Sequence, residues 1–245
     1  MTTHKGKVYL VGAGPGDVAY LTVKAYRLLG KAEVLIYDDL VDQQLLDCVS
    51  SDCLRLHVGK RGGKLSTPQS EINQLLVHYC LEGKQVIRLK SGDPFIFGRC
   101  TGEIQALQDY SCDFEVIPGI SSALAAPLMA GIPLTDAVLS RCFAVLTAHE
   151  PDVLDWSTIS RLDTLVILMG GRSLPEIIHQ LLRQGRSPST PIAIIQWAGT
   201  VNQQVWIGEL NNILAKTAQV SLSPVVIVIG EVVRLCNYLQ PQKHL

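Results

Sequence analysis

A glycine-rich segment and an acidic pair near the start of the chain are the first residues that could do chemistry. The segment reads VGAGPGD at 11–17 and directly follows an apolar run, and LIYDDLV at 35–41 carries Asp38 and Asp39. A glycine loop after one strand, with an acid after the next, is typical of nucleotide-binding α/β domains. The two segments therefore predict a ligand site at the carboxyl ends of neighbouring strands.

The glycine segment departs from a phosphate-binding loop in two positions. Asp17 stands where a dinucleotide fingerprint has its third glycine, and Pro15 removes a backbone N–H from the loop. Thr22 is the predicted cap of the next helix at 23–29, so the loop is also too long to lead directly into that helix. On these residues alone, three interpretations stay open: a dinucleotide loop, a loop that holds S-adenosylmethionine in a nucleotide-binding-like methyltransferase, and a turn without a ligand.

The elements that must position these residues alternate between short β-rich runs and helix-like stretches. The first half of the chain has candidate strands at 8–12, 34–37, 55–58, 86–89 and 114–117. Such alternation indicates a mostly parallel sheet covered by helices. The clearest helix is predicted to have Thr67 as its cap, Pro68 in its first turn and Gly83 at its end.

The pattern of predicted strands and helices changes after residue 140. Further strands are predicted at 143–147, 164–169, 192–196, 204–208 and 225–229, with a helix near 174–184. The short spacing between the strands at 192–196 and 204–208 indicates some antiparallel pairing. The sequence therefore predicts two α/β domains, at 1–135 and 136–245, joined by a short extended segment that contains Pro133.

Composition and charge exclude several classes of protein. The chain has 245 residues, a net charge of -1, 47% apolar residues and 18% charged residues, as expected of a well-packed enzyme. The near-neutral charge argues against broad nucleic-acid binding, so any affinity for an anion must come from a local basic cluster. The seven scattered cysteines lack a C-x-x-C spacing, which indicates free thiols and a cytoplasmic location. We expect no signal peptide and no membrane span, because no apolar run is long enough for either. We also expect no metal, because the histidines, cysteines and acids have no spacing that suits a metal site.

Five motifs in a fixed order carry a family resemblance. They are VGAGPGD at 11–17, YDDLV at 37–41, VGKR at 58–61, LKSGDPFIFGR at 89–99 and VIPGISSALAAPLMAGIPL at 116–134. Together they resemble the tetrapyrrole methylase family over nearly the whole chain. The resemblance implies an α/β fold of two α/β domains with the active site in the interdomain cleft, and a homodimer. It also implies S-adenosyl-L-methionine as the cofactor, with S-adenosyl-L-homocysteine as its product and no metal.

The resemblance further implies the residues of the site. Cofactor contacts are expected mainly from the main chain, because glycine and serine let the backbone approach a ligand. The expected cofactor-binding residues are Pro15, Ser91, Gly92, Asp93, Ile96, Ser121 and Ser122, followed by Met169, Ala198 and Val225. Asp38 matches the proton acceptor of the family and Lys60 its proton donor. A capping or ribose-binding role for Asp38, and a solvated surface position for Lys60, stay open.

The activity implied by the resemblance is the methylation of uroporphyrinogen III at carbons two and seven. The product would be precorrin-2, made by way of precorrin-1, which leads to siroheme and cobalamin. Because the substrate is a polycarboxylate, cations should line its pocket, above all arginines that can bind a carboxylate with two bonds. The expected substrate-binding residues are Arg61, Lys64, Arg99 and Arg141, and Arg88 and Lys90 also lie in or beside the motifs.

The chain departs from the family pattern at a few positions. Ser91 replaces a usual glycine, Cys100 and Thr101 replace a usual glycine pair, and Ala148 replaces another. Cofactor binding should survive a serine, whereas Cys100 and Thr101 bear on substrate fit or rate. Two alternatives therefore stay open: another member of the family, such as a later precorrin, diphthine or ribosomal-RNA methyltransferase, and a tetrapyrrole-binding module without activity. We expect no nucleic-acid or membrane partner.

Overall fold

The structure of the protein is a computed structural model that describes residues 6–59 and 67–239. Its contacts divide the chain into two compact units, of which the first ends at Ser121 and the second begins at Ser122. Each unit contains one five-stranded sheet covered by helices, so the predicted α/β class with two domains is confirmed. The predicted boundary after residue 135 lies further along the chain, beyond helix α5 (Ser122–Met129), which contacts the second sheet.

The sheet of the first unit consists of five parallel strands in the spatial order β3-β2-β4-β1-β5. The strands are β1 (Lys7–Gly12), β2 (Val34–Tyr37), β3 (Leu54–His57), β4 (Gln85–Lys90) and β5 (Asp113–Ile117). Each one coincides with a predicted strand, apart from single residues at the ends. Because all five run in the same direction, the loops that follow them lie at one edge of the sheet.

Helices cover both faces of this first sheet. They are α1 (Val23–Leu29), α2 (Gln43–Leu46), α3 (Gln69–Leu81) and α4 (Cys100–Asp109). Successive side chains of a strand point to opposite faces. Leu10 accordingly belongs to one buried cluster with Leu76 of α3 and Leu107 of α4, whereas Val11 belongs to another with Leu29 of α1. The sheet is thus buried on both faces, as parallel sheets are.

The segment between β1 and α1 is fixed by two side-chain caps. The hydroxyl Oγ1 of Thr22 accepts a hydrogen bond from Ala25 N at 3.1 Å, so the predicted cap of α1 is confirmed. Before it, Asp17 Oδ1 accepts one from Ala19 N at 2.7 Å and begins a 3₁₀ turn over Val18–Tyr20. The aspartate that is out of place in a dinucleotide fingerprint therefore has a local structural role.

The start of helix α3 differs from the prediction. The helix begins at Gln69 with Pro68 at the capping position, and no side chain caps it, so the prediction of Thr67 as its cap was wrong. Pro68 has an extended ψ of 145°, which places it outside the helical turn. The predicted end is confirmed, because the helix stops at Leu81 and Gly83 has a φ of 83° that favours glycine.

The sheet of the second unit has the strand order β6-β7-β10-β8-β9 and is mixed. Its strands are β6 (Phe143–Thr147), β7 (Thr164–Leu168), β8 (Pro191–Gln196), β9 (Gln204–Glu209) and β10 (Val225–Ile229). Its further helices are α6 (Trp156–Ile159), α7 (Leu174–Arg183), α8 (Ile213–Lys216) and α9 (Cys236–Leu239). Strands β6 and β7 are parallel, and the predicted antiparallel pairing is confirmed between β8 and β9. Strand β10 runs antiparallel to both of its neighbours, β7 and β8.

Candidate functional site

The carboxyl edge of the first sheet gathers those predicted residues of this unit that the structure describes. The loops after β1, β2, β4 and β5 carry, in that order, Pro15; Asp38; Ser91, Gly92, Asp93, Ile96 and Arg99; and Ser121. The strand order places the loops after β1 and β4 side by side in the middle of the edge. Ligands of open α/β sheets bind at this kind of edge.

The glycine loop is bonded to the loop after β4 through its own main chain. Gly14 N donates to Gly92 O at 3.1 Å, and Gly92 N donates back to Gly14 O at 3.0 Å. The neighbouring Ala13 N donates to Lys90 O at 2.7 Å. These N–H groups are the ones that a phosphate-binding loop would turn towards its ligand. Ala13 and Gly14 therefore have no N–H group left for a phosphate, which argues against the dinucleotide interpretation.

Two glycines, Gly12 and Gly119, let the central loops approach one another. A Cβ atom on Gly12 would lie 2.5 Å from Gly119 N and 2.6 Å from Gly92 O. One on Gly119 would lie 2.3 Å from the same carbonyl oxygen. A Cβ atom does not fit at any of these distances, so glycine is needed at both positions for close contact between the backbones.

The side chain of Asp93 joins the loop after β4 to the loop after β5. Its Oδ1 accepts a hydrogen bond from Phe95 N at 2.8 Å, and its Oδ2 accepts one from Gly119 N at 3.1 Å. Hydrogen bonds from N–H groups to a carboxylate are stronger than bonds between neutral partners. Asp93, a predicted cofactor-binding residue, thus uses both carboxylate oxygens to hold the two loops together.

Asp38 belongs to a network of ion pairs that reaches under helix α4. Its carboxylate pairs with Arg88 of β4, whose Nε also bonds Glu103 Oε1 of α4 at 3.0 Å. The ammonium of Lys90 bonds the two oxygens of Glu103 at 2.8 and 2.9 Å. Arg88, Lys90 and Glu103 are buried, with exposures of 2%, 3% and 0%. Arg88 and Lys90, considered above as substrate cations, are therefore committed to internal pairs.

Burial and the ion pairs of this network shift the pKa values of side chains in and beside it. Burial lowers the pKa of Arg88, but the carboxylates of Asp38 and Glu103 outweigh burial and raise it overall. Burial and the nearby Glu103 raise the pKa of the Cys100 thiol to about 11. Cys100, one of the departures from the family pattern, is thus a protonated buried side chain at the start of α4 rather than a reactive thiolate.

The segment between Asp93 and α4 is tightly wound and presents apolar side chains to solvent. Phe97 and Arg99 have left-handed φ angles of 55° and 54°, and a Cβ on Gly98 would lie 2.3 Å from Pro94 O. Phe95, Ile96, Phe97 and Arg99 are all exposed. Strained backbone of this kind is common at functional sites. The sequence showed no sign of the two left-handed residues, since neither position holds a glycine.

The second unit gathers its predicted cofactor-binding residues at one edge of its sheet. Met169 follows β7, Ala198 follows β8, and Val225 begins β10, which runs in the opposite direction. Because Val225 pairs with Gln196 and Val226 with Leu168, all three lie at the same edge. The side chain of Met169 is exposed, with a left-handed φ of 56°. Val225 is buried, so it can offer a ligand little more than its main chain.

The loops at this edge of the second sheet are also fixed internally. Gln196 Nε2 donates to Ser221 O at 2.7 Å, which ties the end of β8 to the segment before β10. A Cβ on Gly171 would lie 1.8 Å from Leu222 O, so the loop after β7 packs directly on the same segment. Ser122, the remaining predicted cofactor-binding residue of this unit, begins α5 as expected.

Arg141 is not brought to either of these edges. Arg141 precedes β6, and its N donates to Asp163 Oδ2 at 2.9 Å just before β7. That position is the edge of the second sheet opposite to Met169, Ala198 and Val225. The catalytic and substrate-binding predictions on Lys60, Arg61 and Lys64 lie outside the described residues.

One pair at the first edge was missed by the sequence analysis. His57, at the end of β3, lies 3.4 Å from Asp39 through Nε2 and Oδ1. A Cβ on Gly59 would lie 2.1 Å from Asp39 N, so glycine is needed there as well. The only available signal was the position of both residues at the carboxyl ends of adjacent strands.

The described residues also bear on metals and membranes. In the ranges 6–59 and 67–239, no three His, Cys, Asp or Glu side chains form a group that could hold a metal ion. Across the same part of the chain, no helix is long and apolar enough to cross a bilayer.

The two sheets define a two-unit α/β protein whose glycine-rich loop uses the N–H groups of Ala13 and Gly14 internally. Its edges offer main-chain atoms, the exposed side chain of Met169 and the half-buried carboxylate of Asp38 to a ligand. The chain belongs to the tetrapyrrole (corrin/porphyrin) methylase family, whose sequence profile matches residues 7–214.

Relatives match the chain over nearly its full length. It is 59% identical to a uroporphyrinogen-III C-methyltransferase of Synechococcus elongatus, over 95% of this chain and 96% of the relative. It is 41% identical to an S-adenosyl-L-methionine-dependent uroporphyrinogen III methyltransferase of Methanosarcina barkeri, over 99% and 98% of the two chains. A crystal structure of uroporphyrin-III C-methyl transferase from Thermus thermophilus, complexed with S-adenyl homocysteine, matches with a TM-score of 0.81 and 37% identity. That match covers 94% of this chain and 100% of the other.

Proposed function

We propose that the protein transfers methyl groups from S-adenosyl-L-methionine to uroporphyrinogen III. The methyl groups go to carbons two and seven and give precorrin-2 by way of precorrin-1, for siroheme and cobalamin biosynthesis. The observation that carries the proposal is the 59% identity to the Synechococcus elongatus uroporphyrinogen-III C-methyltransferase over 95% of this chain. We further propose that the protein works as a cytoplasmic homodimer, as the family resemblance implies.

The residues at the two edges fit S-adenosyl-L-methionine better than a nucleotide. When bound, this cofactor supplies a methyl group that its sulfonium has already activated, and it carries no phosphate. The bonded N–H groups of Ala13, Gly14 and Gly92 therefore take nothing away from its binding. The residues proposed to contact it are Pro15, Ser91, Gly92, Ile96, Ser121 and Ser122, with Met169, Ala198 and Val225 on the adenosine side.

Asp38 is the proposed proton acceptor. Attack by a pyrrole carbon on the methyl group leaves the macrocycle with one proton too many, and a base must remove it. The Asp38 carboxylate lies at the carboxyl edge of the first sheet, and its side chain is 31% exposed, so it is open to a substrate there. Lys60 is the proposed proton donor, from the resemblance alone.

The substrate carboxylates need cations at the surface of the protein. Arg99 is exposed at the carboxyl edge of the first sheet, among exposed apolar side chains that suit the face of a macrocycle. Arg61 and Lys64 are further proposed substrate-binding residues, because they stand in or beside the motif VGKR. Arg141 has less support, because it lies at the far edge of the second sheet.

The test is an assay of product mass. Purified protein is incubated with uroporphyrinogen III and labelled S-adenosyl-L-methionine under anaerobic, reducing conditions, and the molecular masses of the products are measured. A gain of two methyl groups is expected. In the matched variant Asp38→Asn, turnover should fall while the affinity for S-adenosyl-L-homocysteine stays nearly the same.

Other outcomes point to the other candidates. Binding of uroporphyrinogen III without methyl gain would indicate a tetrapyrrole-binding module instead. Failure with this substrate, but turnover of a later precorrin or of RNA, would move the activity to another branch of the family. An equilibrium sedimentation mass equal to one chain would contradict the proposed dimer.

A further inference from the structure

We infer that Arg88 is a positioning residue that fixes the orientation of the Asp38 carboxylate. The inference rests on the proposed function, in which Asp38 accepts a proton from the macrocycle. Arg88 Nη2 contacts Asp38 Oδ1, and the side chain of Arg88 is only 3% exposed, against 31% for that of Asp38. The carboxylate is thus held from its buried side while its other side stays open.

The guanidinium of Arg88 has contacts on every side. Nε donates to Glu103 Oε1 at 3.0 Å, and Nη1 lies 3.4 Å from the carbonyl oxygens of both Ile36 and Leu89. These contacts come from β2, β4 and α4, so the planar group cannot rotate without losing several of them. A lysine would keep the charge but could not span Asp38 and Glu103 at once.

Glu103 is held in place by a second cation. Lys90 Nζ bonds both of its carboxylate oxygens, and Gln69 Nε2 of α3 lies 3.5 Å from Oε1. Glu103 is fully buried, so these partners compensate its charge inside the protein. Lys90 therefore holds Glu103 in place, Glu103 holds Arg88, and Arg88 holds Asp38.

The arrangement leaves one oxygen of Asp38 for chemistry. Oδ1 is taken by Arg88, whereas no donor among residues 6–59 and 67–239 bonds Oδ2. In the proposed step, a C–H bond of the methylated macrocycle breaks, its electron pair stays on the macrocycle, and the proton passes to Oδ2. A base that is fixed in one orientation reacts faster than one that rotates, because less freedom is lost in the transition state.

A buried ion network could instead serve stability alone, so the experiment compares two arginines. The substitution Arg88→Lys keeps the charge in the network. Its matched control is Arg186→Lys, since Arg186 is partly buried and, like Arg88, its guanidinium bonds several acceptors: the carbonyl oxygens of Ser160, Leu162 and Asp163 at 2.8–3.2 Å in the second unit. Both variants should lower the melting temperature.

The two variants should differ in their kinetics with uroporphyrinogen III. Arg88→Lys should lower kcat about 100-fold through misplacement of the base. Its KM and its affinity for S-adenosyl-L-homocysteine should stay unchanged. Arg186→Lys should leave kcat unchanged. If Arg88 acts through Asp38, then Arg88→Lys should cost nothing further in an Asp38→Asn background.

The outcomes separate this inference from the proposed function. No methyl transfer by the wild type would overturn both, and full activity of Asp38→Asn would overturn the role of Asp38 and this inference with it. A slow Asp38→Asn variant beside an Arg88→Lys variant with wild-type kcat would overturn this inference alone, as would losses that multiply in the double variant. If Arg88→Lys does not fold, Glu103→Gln takes its place, since the amide keeps the size of the side chain but removes the charge that holds Arg88. Its kcat must then fall, and must not fall further when Asp38→Asn is present.

Discussion

Replacing Asp93 by asparagine should destabilise the protein before any ligand is present. The aspartate accepts hydrogen bonds from Phe95 N and Gly119 N, and asparagine has one oxygen for these two donors. One bond to a charged acceptor is lost, which corresponds to about 1.5–3 kcal/mol in the free energy of unfolding. For a chain of this size, the melting temperature of the ligand-free protein should fall by about 3–12 °C.

The assay is thermal unfolding of the ligand-free protein together with titration of S-adenosyl-L-homocysteine. Asp136→Asn is the control in the second unit, because Asp136 accepts both of its main-chain bonds, from Val138 and Leu139 at 2.9 Å, through Oδ1 alone. An asparagine oxygen can still accept both bonds, so this variant should lose less stability than Asp93→Asn and keep its affinity for S-adenosyl-L-homocysteine. If Asp93→Asn instead has a wild-type melting temperature and only a weaker affinity, the carboxylate is a direct ligand of the cofactor. The account of Asp93 as a link between two loops would then be wrong.

Three further predictions test other parts of the structure. Gly12→Ala should lower both the melting temperature and the affinity for S-adenosyl-L-homocysteine, because its Cβ would meet Gly119 N at 2.5 Å; unchanged affinity by calorimetry would count against this close contact. Arg99→Ala should raise the KM for uroporphyrinogen III more than Arg141→Ala does, because Arg99, unlike Arg141, lies at the carboxyl edge of the first sheet. Equal increases in KM in steady-state assays would contradict the proposed role of Arg99. Asp155→Ala should lower the melting temperature at pH 7, where the carboxylate accepts hydrogen bonds from Ser157 and Thr158 that depress its pKa to about 2. Because the pKa of Asp155 is lower in the folded protein than in the unfolded chain, the stabilisation by its carboxylate is lost as the pH falls through about 2. The melting temperatures of the wild type and of Asp155→Ala should therefore converge at that pH. A difference in melting temperature that does not change with pH would contradict this pH dependence.

The strands were predictable because each is a short apolar run bounded by polar or glycine residues. Strand β10, for example, is the run VVIVI, and its bounds agree with the prediction. Its place between β7 and β8 was not predictable, because it depends on contacts between segments far apart in the sequence. The same limit applies to the spatial order of the first sheet.

The site was predictable where motif residues directly follow strands, and less so where burial decides. Arg88 and Lys90 were considered as substrate cations because they stand in a motif. Yet they alternate with Ile87 and Leu89 and share the face of β4 that carries Val86, which α3 and α4 cover. Alternation along the strand could have shown that these cations are buried. Their partner Glu103 could not be identified, since helix packing brings it there.

The bonds between Gly14 and Gly92 have a consequence for the rate of cofactor capture. The N–H and C=O groups of Gly14 and Gly92 already bond one another, so this contact between the two loops is in place before the ligand arrives. Association should then be a single step whose rate rises linearly with ligand concentration, without the plateau that a slow loop closure would cause. Most differences in affinity among variants of this edge should accordingly appear in the dissociation rate.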